Sequence, residues 1–470
     1  MSEHAIASSS PSSNKNSIEN VLYEKRQKIY PREVHGLFAY LRTTSVIFLL
    51  GLFYGCAWLQ WDGRQAILWD LPARKFYVFG LTFWPQDFVY LALMLIIAGL
   101  SLFFFTAIAG RLWCGYACPQ TVWTETFLWI ERLVEGDRSS QIRLDKAPWS
   151  LHKLGIKSLK HTVWIVFALV TGFTFVGYFT PIHDLSTKVM SFSTGPWETF
   201  WVLFYSFATY GNAGWLREQV CKYMCPYARF QSAMFDKDTL IVSYDERRGE
   251  PRGSRNKKLD HKSEGLGDCI DCGLCVQVCP TGIDIRKGLQ YECISCSACI
   301  DACNFVMDNM NYDKGLIRYT TQHELDDKKT RILRPRIFIY GIVLLMFVAG
   351  LTYSVLTRVP LELDIIRDRN QLYRETDNGL IENIYTLKII NMDNKPHHYQ
   401  LRAGGINSLE LIMEQPEIFV ESGIVADITV RLRAEESDLS SRSNKVLFYL
   451  EADDKKNLHI IKEARFLGPG

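Results

Sequence analysis

The sequence predicts a multi-domain membrane protein with an α-helical membrane domain, a cysteine-rich insert and an all-β C-terminal domain. Three observations predict this. Long apolar runs alternate with very polar segments, although hydrophobic residues make up only 48% of the 470 residues. All 13 cysteines precede Asn304, and the last third of the chain has none. After the last apolar run, the hydrophobic pattern changes to a period of two, which is typical of β-strands.

The net charge and the distribution of cysteine limit the kinds of partner and the cellular compartments that are possible for this protein. The net charge of +2 gives no general reason to expect a nucleic-acid partner. The uneven distribution of cysteine indicates two compartments, one reducing and one where free thiols are avoided. We therefore expect the cysteine-rich part and the C-terminal part to lie on opposite sides of a membrane.

The apolar runs predict about five spanning helices, at roughly twenty residues for each crossing. They are Thr43–Leu59, Phe88–Ala109, Val163–Phe179, Trp197–Tyr210 and Ile337–Leu356. The fourth is the shortest and the most aromatic. Lys and Arg are frequent in the N-terminal tail and in segments 111–160 and 217–336, and rare in 60–87 and 181–196. The positive-inside rule then places the N-terminus and both basic segments in the cytoplasm, and an odd number of crossings places the C-terminal domain outside.

Eight cysteines occur in two runs of the same spacing, C-x-x-C-x-x-C-x-x-x-C, of which the first is followed by Pro280 and the second by Asn304. This spacing is typical of proteins with two 4Fe-4S clusters, in which the fourth cysteine of each run serves the other cluster. The predicted ligand sets are Cys269, Cys272, Cys275 and Cys303 for one cluster, and Cys293, Cys296, Cys299 and Cys279 for the other. Zinc binding or a disulfide framework is the alternative, but zinc sites usually use two C-x-x-C pairs. The insert is therefore predicted to be ferredoxin-like.

A second set of thiols follows the second and fourth predicted spans. The repeated motif is C-x-Y-x-C-P, and its cysteines are Cys114, Cys118, Cys221 and Cys225. We interpret it as an internal repeat whose i,i+4 spacing puts both thiols of a pair on one helical face, with Pro119 and Pro226 turning the chain beyond. Four sulfurs meeting at the inner membrane surface, with Met224 or Met234 nearby, favour Cu(I). The alternative is a set of buried structural thiols, against which the repetition argues.

Other candidate residues are weaker. Cys56 is alone in the first predicted span and is interpreted as a helix-packing residue. His161 and His183 flank the third span, but nothing indicates the pocket that a haem needs. The basic stretch 245–262 either contacts anionic lipid headgroups or is a solvated linker, and its composition does not distinguish the two.

The C-terminal part is predicted to be a sandwich of about 110 residues, because short alternating strands follow one another at regular spacing. The predicted strands are Leu361–Ile366, Ile384–Ile390, Tyr399–Arg402, Leu409–Met413, Ile418–Val420, Ala426–Leu432, Val446–Leu450 and Leu458–Ile461. It has no cysteine pair, so we expect it to be immunoglobulin-like in architecture only.

This order of parts resembles the CcoG family, also called RdxA or FixG. The resemblance covers nearly the whole chain and includes the phrases Trp113–Pro119 and Arg248–Gly253. It implies a bacterial inner-membrane protein that acts in the assembly of cbb-type cytochrome c oxidase, together with assembly factors or copper carriers, by reducing Cu(II) to Cu(I). It also implies that the C-x-x-x-C-P thiols are the copper candidates.

The predicted domains are a cytoplasmic tail (1–42), a four-helix membrane domain (43–216), the second thiol motif with a basic linker (217–262), a cytoplasmic ferredoxin domain (263–335), a last span (336–357) and a periplasmic immunoglobulin-like domain (358–470). Electrons are expected to enter at one cluster, pass to the other and reach copper. No G-x-G-x-x-G with a strand-helix unit is present, so no nicotinamide or flavin domain is built in, and the sequence does not identify the electron donor. A quinol-linked electron carrier and a non-enzymatic assembly scaffold are the rival interpretations.

Overall fold

The computed structural model describes residues 28–255, 257, 264–393, 395–414, 417–454 and 458–469. Most of the predicted tail and part of the basic stretch lie outside these residues. The chain forms two compact units. One, which we call the cluster unit, contains the residues up to Val46 together with Ala109–Trp164 and Asn212–Thr330. The other, the helix-sandwich unit, contains Ile47–Ile108, Ile165–Gly211 and the residues from Arg331 onward.

Four helices are long and apolar enough to cross a membrane among the described residues. Their bounds are Leu37–Cys56, Pro85–Ala109, Leu151–Val176 and Pro335–Leu356. We call their α-helical parts α1 (Leu37–Cys56), α2 (Phe88–Ala109), α6 (Leu151–Val176) and α14 (Pro335–Leu356). In the second and fourth, 0% of the most apolar window is buried inside the protein. Such a surface is stable only against other apolar groups, as a lipid bilayer provides.

The fourth predicted span is helical but short. Helix α8, Pro196–Thr209, has only 14 residues. It continues as a π-helix of seven residues, Tyr210–Leu216, whose sequence YGNAGWL contains two glycines and an asparagine with low helix propensity. The predicted count of about five spans is therefore not confirmed by helix length and composition.

The remaining helices are short and belong mostly to the cluster unit. They are α3 (Leu112–Tyr116), α4 (Pro119–Glu135), α5 (Arg138–Lys146), α7 (Ile182–Met190), α9 (Pro226–Met234), α10 (Glu246–Gly249), α11 (Leu274–Gln277), α12 (Ala298–Met310) and α13 (Gln322–Leu325), with a second π-helix at Val220–Met224 and 3-10 turns at Pro85–Asp87, Ile285–Lys287 and Glu436–Asp438. Of these, α3, α4, α9, α11 and α12 carry or adjoin the predicted site cysteines.

The ferredoxin-like part is built on one antiparallel strand pair. Strands β6 (Ile241–Tyr244) and β7 (Ile317–Thr320) pair, and their buried side chains pack with Met307 of α12 in a small apolar core. Cys269 and Cys275 belong to the same core. The core is therefore completed by the site residues themselves.

The C-terminal domain is an antiparallel two-sheet structure. One sheet has the order β12-β14-β10-β8, with β9 on β10, and the other β13-β11-β15-β16. The strands are β8 (Leu361–Arg367), β9 (Arg374–Glu375), β10 (Leu380–Asn391), β11 (His397–Gly404), β12 (Glu410–Met413), β13 (Ile418–Val420), β14 (Val425–Glu435), β15 (Ser443–Ala452) and β16 (His459–Leu467). Tyr385 and Phe448, from different sheets, are fully buried with ring centroids 5.4 Å apart. All eight predicted strands are present, and only the two-residue β9 was missed.

The segment between the first two long helices was predicted as a plain connection, but it contains strands. They are β1 (Gln60–Trp61), β2 (Arg64–Gln65), β3 (Ile67–Asp70), β4 (Lys75–Val78) and β5 (Leu81–Phe83). This segment contacts the C-terminal domain. Lys75 donates to the carbonyl of Gly423 at 2.7 Å, and Arg358 forms an ion pair with Asp87. The contacts place segment 60–87 and the C-terminal domain side by side within one unit.

Candidate iron–sulfur and thiol site

The cysteines of the two ferredoxin runs surround two separate cavities in the cluster unit. The first cavity is lined by Cys269, Cys272, Cys275 and Cys303. The second is lined by Cys279, Cys293, Cys296 and Cys299, and Cys275 borders it as well. The structure thus brings together the two crossed sets that the spacing predicts.

Both runs share one backbone conformation around the second cysteine. The residues on either side of Cys272, which are Asp271 and Gly273, have φ angles of 52° and 65°. The residues on either side of Cys296, Ser295 and Ser297, have φ angles of 53° and 62°. Alternation of right- and left-handed residues turns successive amides toward one concavity, a geometry that suits iron–sulfur sites. The loops therefore fit a cluster with negatively charged sulfur.

The donor set also fits iron–sulfur clusters better than a single ion. Among the described residues, no group of three or more His, Cys, Asp or Glu side chains is arranged to hold one metal ion. The ferredoxin thiols instead stand around a cavity. Burial raises the pKa of the Cys275 thiol to about 11 and that of Cys303 to about 12. These thiols lose their protons only beside a strong positive charge, which bound iron supplies.

The first C-x-x-x-C-P motif does not lie on one helical face, as the sequence predicted. Cys114 is in the five-residue α3, which ends at Tyr116. Cys118 is the N-cap residue of α4, with φ −62° and ψ 129°, and Pro119 is the first residue of that helix. Proline favours the first helical position because it lacks an amide hydrogen. The prediction was wrong because the first helix ends at Tyr116 and a new helix begins at Pro119. Cys118 therefore lies outside the helix that contains Cys114.

The second motif repeats this arrangement. Cys221 is in the π-helix Val220–Met224, and Cys225 is the N-cap residue of α9, which begins at Pro226. The repeat predicted from the sequence is thus visible in the backbone. In both copies, the first thiol lies inside one short helix and the second thiol immediately precedes another.

The four motif thiols share one neighbourhood without forming a closed chelate. Burial and, after it, the charge of Cys118 raise the pKa of Cys114 to about 12, with smaller effects from Cys221 and Cys225. Burial likewise raises the pKa of Cys221 to about 11. No group of three or more metal-ligating side chains is found here among the described residues. The predicted meeting of all four sulfurs therefore stays a prediction.

Gln231 of α9 joins the two motifs and was not found from the sequence. Its side chain is 0% exposed, and its Oε1 accepts a hydrogen bond from the Cys114 thiol at 3.2 Å. The carbonyl of Cys114 accepts from the Thr121 hydroxyl at 2.5 Å. The glutamine five residues after Pro226 can be seen in the sequence. Only the fold shows that it is buried and bonded to Cys114.

The first motif packs directly on the second cluster cavity. Cys114 packs against the apolar group that contains Ile294 and Cys296. A Cβ atom on Gly115 would lie 2.8 Å from the carbonyl oxygens of Ile294 and Ser295. The neighbouring Arg111 is 3% exposed and donates to the carbonyl of Cys293 at 3.2 Å. The missing side chain of Gly115 therefore lets the backbone of the motif approach the cluster loop closely, and Arg111 bonds to the same loop.

The other candidates have no part in this site. His161 packs edge-on against Trp164, with ring centroids 5.3 Å apart, and His183 packs against Trp58 at 5.2 Å. Cys56 lies half-buried at the end of α1, and Met224 exposes 59% of its surface. These positions agree with packing roles for the two histidines and Cys56.

The described arginines of the basic stretch are bonded inside the cluster unit. Arg247 pairs with Asp327, Arg248 with Asp268, and the Arg255 guanidinium donates to the Tyr312 hydroxyl. Arg247 is 61% exposed in its ion pair, and the two predicted roles, lipid contact and solvated linker, both stay open. The three arginines brace the loop before the first cysteine run.

Sequence families match three parts of the chain. A 4Fe-4S binding domain matches residues 90–135, a 4Fe-4S dicluster domain matches 216–322, and an IG-like fold at the C-terminal of FixG matches 351–469. The dicluster match contains all eight ferredoxin cysteines and the second C-x-x-x-C-P motif. Two 4Fe-4S clusters are thereby supported.

Curated relatives extend over most of the chain. Nitrogen fixation protein FixG of Rhizobium meliloti is 38% identical and covers 80% of this chain and 79% of its own length. This chain belongs to the FixG/RdxA family. Protein RdxA of Cereibacter sphaeroides is 39% identical, covering 84% and 86%. A solved FixG-related protein from Vibrio parahaemolyticus is 33% identical over 23% of this chain and 95% of its own, with a TM-score of 0.21.

The family assignment agrees with the resemblance drawn from the motifs. It supports an iron–sulfur oxidoreductase with an IG-like C-terminal domain, and the four long apolar helices support a membrane protein. The C-x-x-x-C-P thiols lie inside the regions that match 4Fe-4S domains.

Proposed function

We propose that this protein is a membrane iron–sulfur oxidoreductase that reduces Cu(II) to Cu(I) for the assembly of a cbb-type cytochrome c oxidase. The observation that carries the proposal is the packing of Cys114 against the apolar group around Cys296. Contact between a thiol of the motif and a cluster loop favours electron transfer from the cluster to the motif. Cu(II) is the substrate, and one electron converts it to Cu(I).

The crossed cysteine sets are the proposed ligands of the two clusters. When bound, the clusters supply electrons one at a time. The first set is Cys269, Cys272, Cys275 and Cys303, and the second is Cys279, Cys293, Cys296 and Cys299. The second set is the proposed exit because Gly115 lies against its loop.

Cys114, Cys118, Cys221 and Cys225 are the proposed copper-binding thiols. Soft sulfur stabilises Cu(I) relative to Cu(II), so copper bound there is drawn toward the reduced state. A pair of thiols from one or both motifs suffices for Cu(I), which accepts two sulfur ligands. Gln231 holds the Cys114 thiol in place, and the buried thiols release their protons as copper binds.

The proposed location is the bacterial inner membrane, with the N-terminus and clusters in the cytoplasm and the C-terminal domain in the periplasm. Membrane lipid surrounds the long helices. The partners are oxidase assembly factors or copper carriers, which the external domain is available to meet.

The test uses full-length protein purified in detergent without oxygen and reduced with dithionite, with the excess reductant removed. Addition of Cu(II) should form Cu(I), measured with a Cu(I)-specific chelator, in step with loss of the reduced-cluster signal. The Cys114→Ser/Cys118→Ser variant should keep its iron and lose the copper reaction, whereas Cys56→Ser should behave as the parent. Reduction at the parent rate in the double variant would make these thiols structural and overturn the proposal.

A further inference from the structure

A cavity of about 400 Å³ lies within the cluster unit, apart from the two cluster cavities. Four parts of the chain form its walls. They are the N-terminal segment 29–43 with the first turn of α1, the face of α4 from Gln120 to Arg132, the segment 217–221, and the cluster loops around Val278 and Ile294. Its volume is in the range of small-molecule sites and holds a single ring system.

The cavity touches both redox centres. Cys296 of the second cluster set and Cys221 of the second thiol motif are among its lining residues. Arg42 also lines it, and its guanidinium donates to the carbonyl of Cys296 at 3.1 Å. A molecule in this cavity is therefore next to a cluster ligand on one side and a motif thiol on the other, a position that suits an electron donor.

A network of polar side chains converges on Glu125 in the cavity wall. The indole of Trp129 donates to its carboxylate at 3.1 Å, and the Arg132 guanidinium donates at 3.3 Å. Arg42 approaches the other carboxylate oxygen at 3.8 Å, and both side chains are about one-eighth exposed, at 12% and 13%. Within this network the charges of Glu125, Arg42 and Arg132 are paired, so this part of the wall suits an uncharged ligand with hydrogen-bonding oxygens.

Part of the remaining lining is apolar and adjoins the end of a long apolar helix, while Arg32, Glu33, His35 and Glu218 also line the cavity. Val34, Leu128, Val278 and Ile294 supply apolar surface. Ala39 and Thr43 on the wall belong to α1, one of the four helices suited to a bilayer. A lipid-soluble molecule is thus concentrated where the cavity lies.

We propose that this cavity binds the head group of a quinol, which is the electron donor of the protein. The inference deepens the proposed function and rests on its electron-transfer part. Oxidation of one quinol breaks two O–H bonds and yields a quinone, two protons and two electrons. Each crossed cysteine set would hold a cluster able to take up one of the two electrons, and the protons leave to water, with the Glu125 carboxylate as the acceptor inside the cavity.

The experiment measures binding and electron entry separately on full-length protein in detergent without oxygen. Binding of a short-chain quinone is followed by equilibrium dialysis, and cluster reduction by bleaching on addition of the matching short-chain quinol. Glu125→Gln and Trp129→Leu should each weaken quinone binding or slow bleaching at least tenfold, while iron content and reduction by dithionite stay at parental values. The matched controls Glu246→Gln and Trp149→Leu, at exposed positions outside the cavity, should behave as the parent.

Two results would overturn the inference. One is no quinone binding or bleaching in the parent protein. The other is unchanged quinol-driven bleaching in both cavity variants. If dithionite-reduced parent still converts Cu(II) to Cu(I) in either case, the proposed copper function stands and only the quinol site fails. If quinol reduces the clusters but no Cu(I) forms, the cavity stands and the copper function fails.

Discussion

At the scale of residues, the backbone around the clusters is set by cysteine spacing more than by glycine. Asp271 and Ser295 occupy equivalent left-handed positions in the two runs, and so do Gly273 and Ser297. Left-handed geometry is uncommon for non-glycine residues and is retained where the surroundings require it. The two runs therefore wrap two cavities in the same way despite different intervening side chains.

Cys279 is the residue that separates crossed from uncrossed ligation. It belongs to the first run but lines the second cavity. We expect Cys279→Ser to damage the second cluster and leave the first, so that iron falls from about eight to about four per chain. Iron analysis with electron paramagnetic resonance of the reduced protein checks this, with Cys303→Ser as the reciprocal variant. Loss of the same cluster signal in both variants would contradict the crossed arrangement.

Gly115 is predicted to control the rate of electron exit. An added Cβ would lie 2.8 Å from two cluster-loop carbonyls, so Gly115→Ala must push the motif away from the loop. We expect copper reduction to slow at least tenfold with iron content unchanged. Stopped-flow mixing of reduced protein with Cu(II) measures the rate. The control Gly155→Ala, a helical position with nothing within 4 Å, should leave the rate at the parental value.

At the scale of elements, a buried ion pair joins α4 to the segment that leads into the second thiol motif. Arg217 and Glu131 are 2.7 Å apart, with 8% and 1% of their side chains exposed. Burial acts to raise the pKa of Glu131, but the charges of Arg217 and Lys28 outweigh it and lower the pKa to about 2. Because the folded pKa is depressed, the pair stabilises the fold above the unfolded pKa of Glu131, near 4.5, and loses this as pH falls toward 2.

Removing only the arginine should be costly. Arg217→Met removes the closest partner of a buried carboxylate, but Lys28 and Lys160 stay within 3.4 Å of it, so we expect a loss in the free energy of unfolding below the roughly 3–5 kcal/mol of an uncompensated buried charge. Thermal unfolding at neutral pH measures it. The double variant Arg217→Met/Glu131→Gln should recover part of the loss, since it removes the carboxylate charge that has lost its closest partner. A double variant no more stable than the single one would show that the arginine acts by packing alone.

At the scale of the whole molecule, the number of crossings can be argued from contacts within one unit. If the first long helix crosses the membrane, segment 60–87 lies on the opposite side from the N-terminus. Lys75 and Asp87 of this segment bond with Gly423 and Arg358, so we predict that the C-terminal domain lies on the same side as this segment. That topology needs an odd number of crossings, and the four long helices alone would give an even number.

The helix Pro196–Thr209 with its π-helical continuation is the element that makes the number odd. It packs closely on α6, since a Cβ on Gly172 would lie 2.3 Å from the Ser206 hydroxyl. Its outer side chains Leu203 and Phe207 are 55% and 75% exposed, as lipid-facing residues are. We infer that this short helix is the fifth crossing.

Reporter fusions test this topology. A periplasm-active phosphatase fused after Leu356 should be active, and the same enzyme fused after Cys303 should be inactive. A cytoplasm-active reporter at the same two points should give the opposite result. Equal activity of the phosphatase on both sides of the last helix would mean that the helix does not cross. Activity only after Cys303 would mean that the orientation is reversed.

The sequence by itself determined the parts that depend on local spacing. Cysteine runs, apolar runs of about twenty residues and a period of two require only neighbours along the chain, so both crossed ligand sets and all eight strands were predictable. The contacts between residues far apart in the chain were decided only by the tertiary structure. In the folded chain the helix ends between Cys114 and Cys118, the Cys114 thiol bonds to Gln231, and the backbone of Gly115 packs against Ser295. The tertiary structure also enclosed the cavity beside Cys296 with side chains from distant segments, which no local pattern specifies.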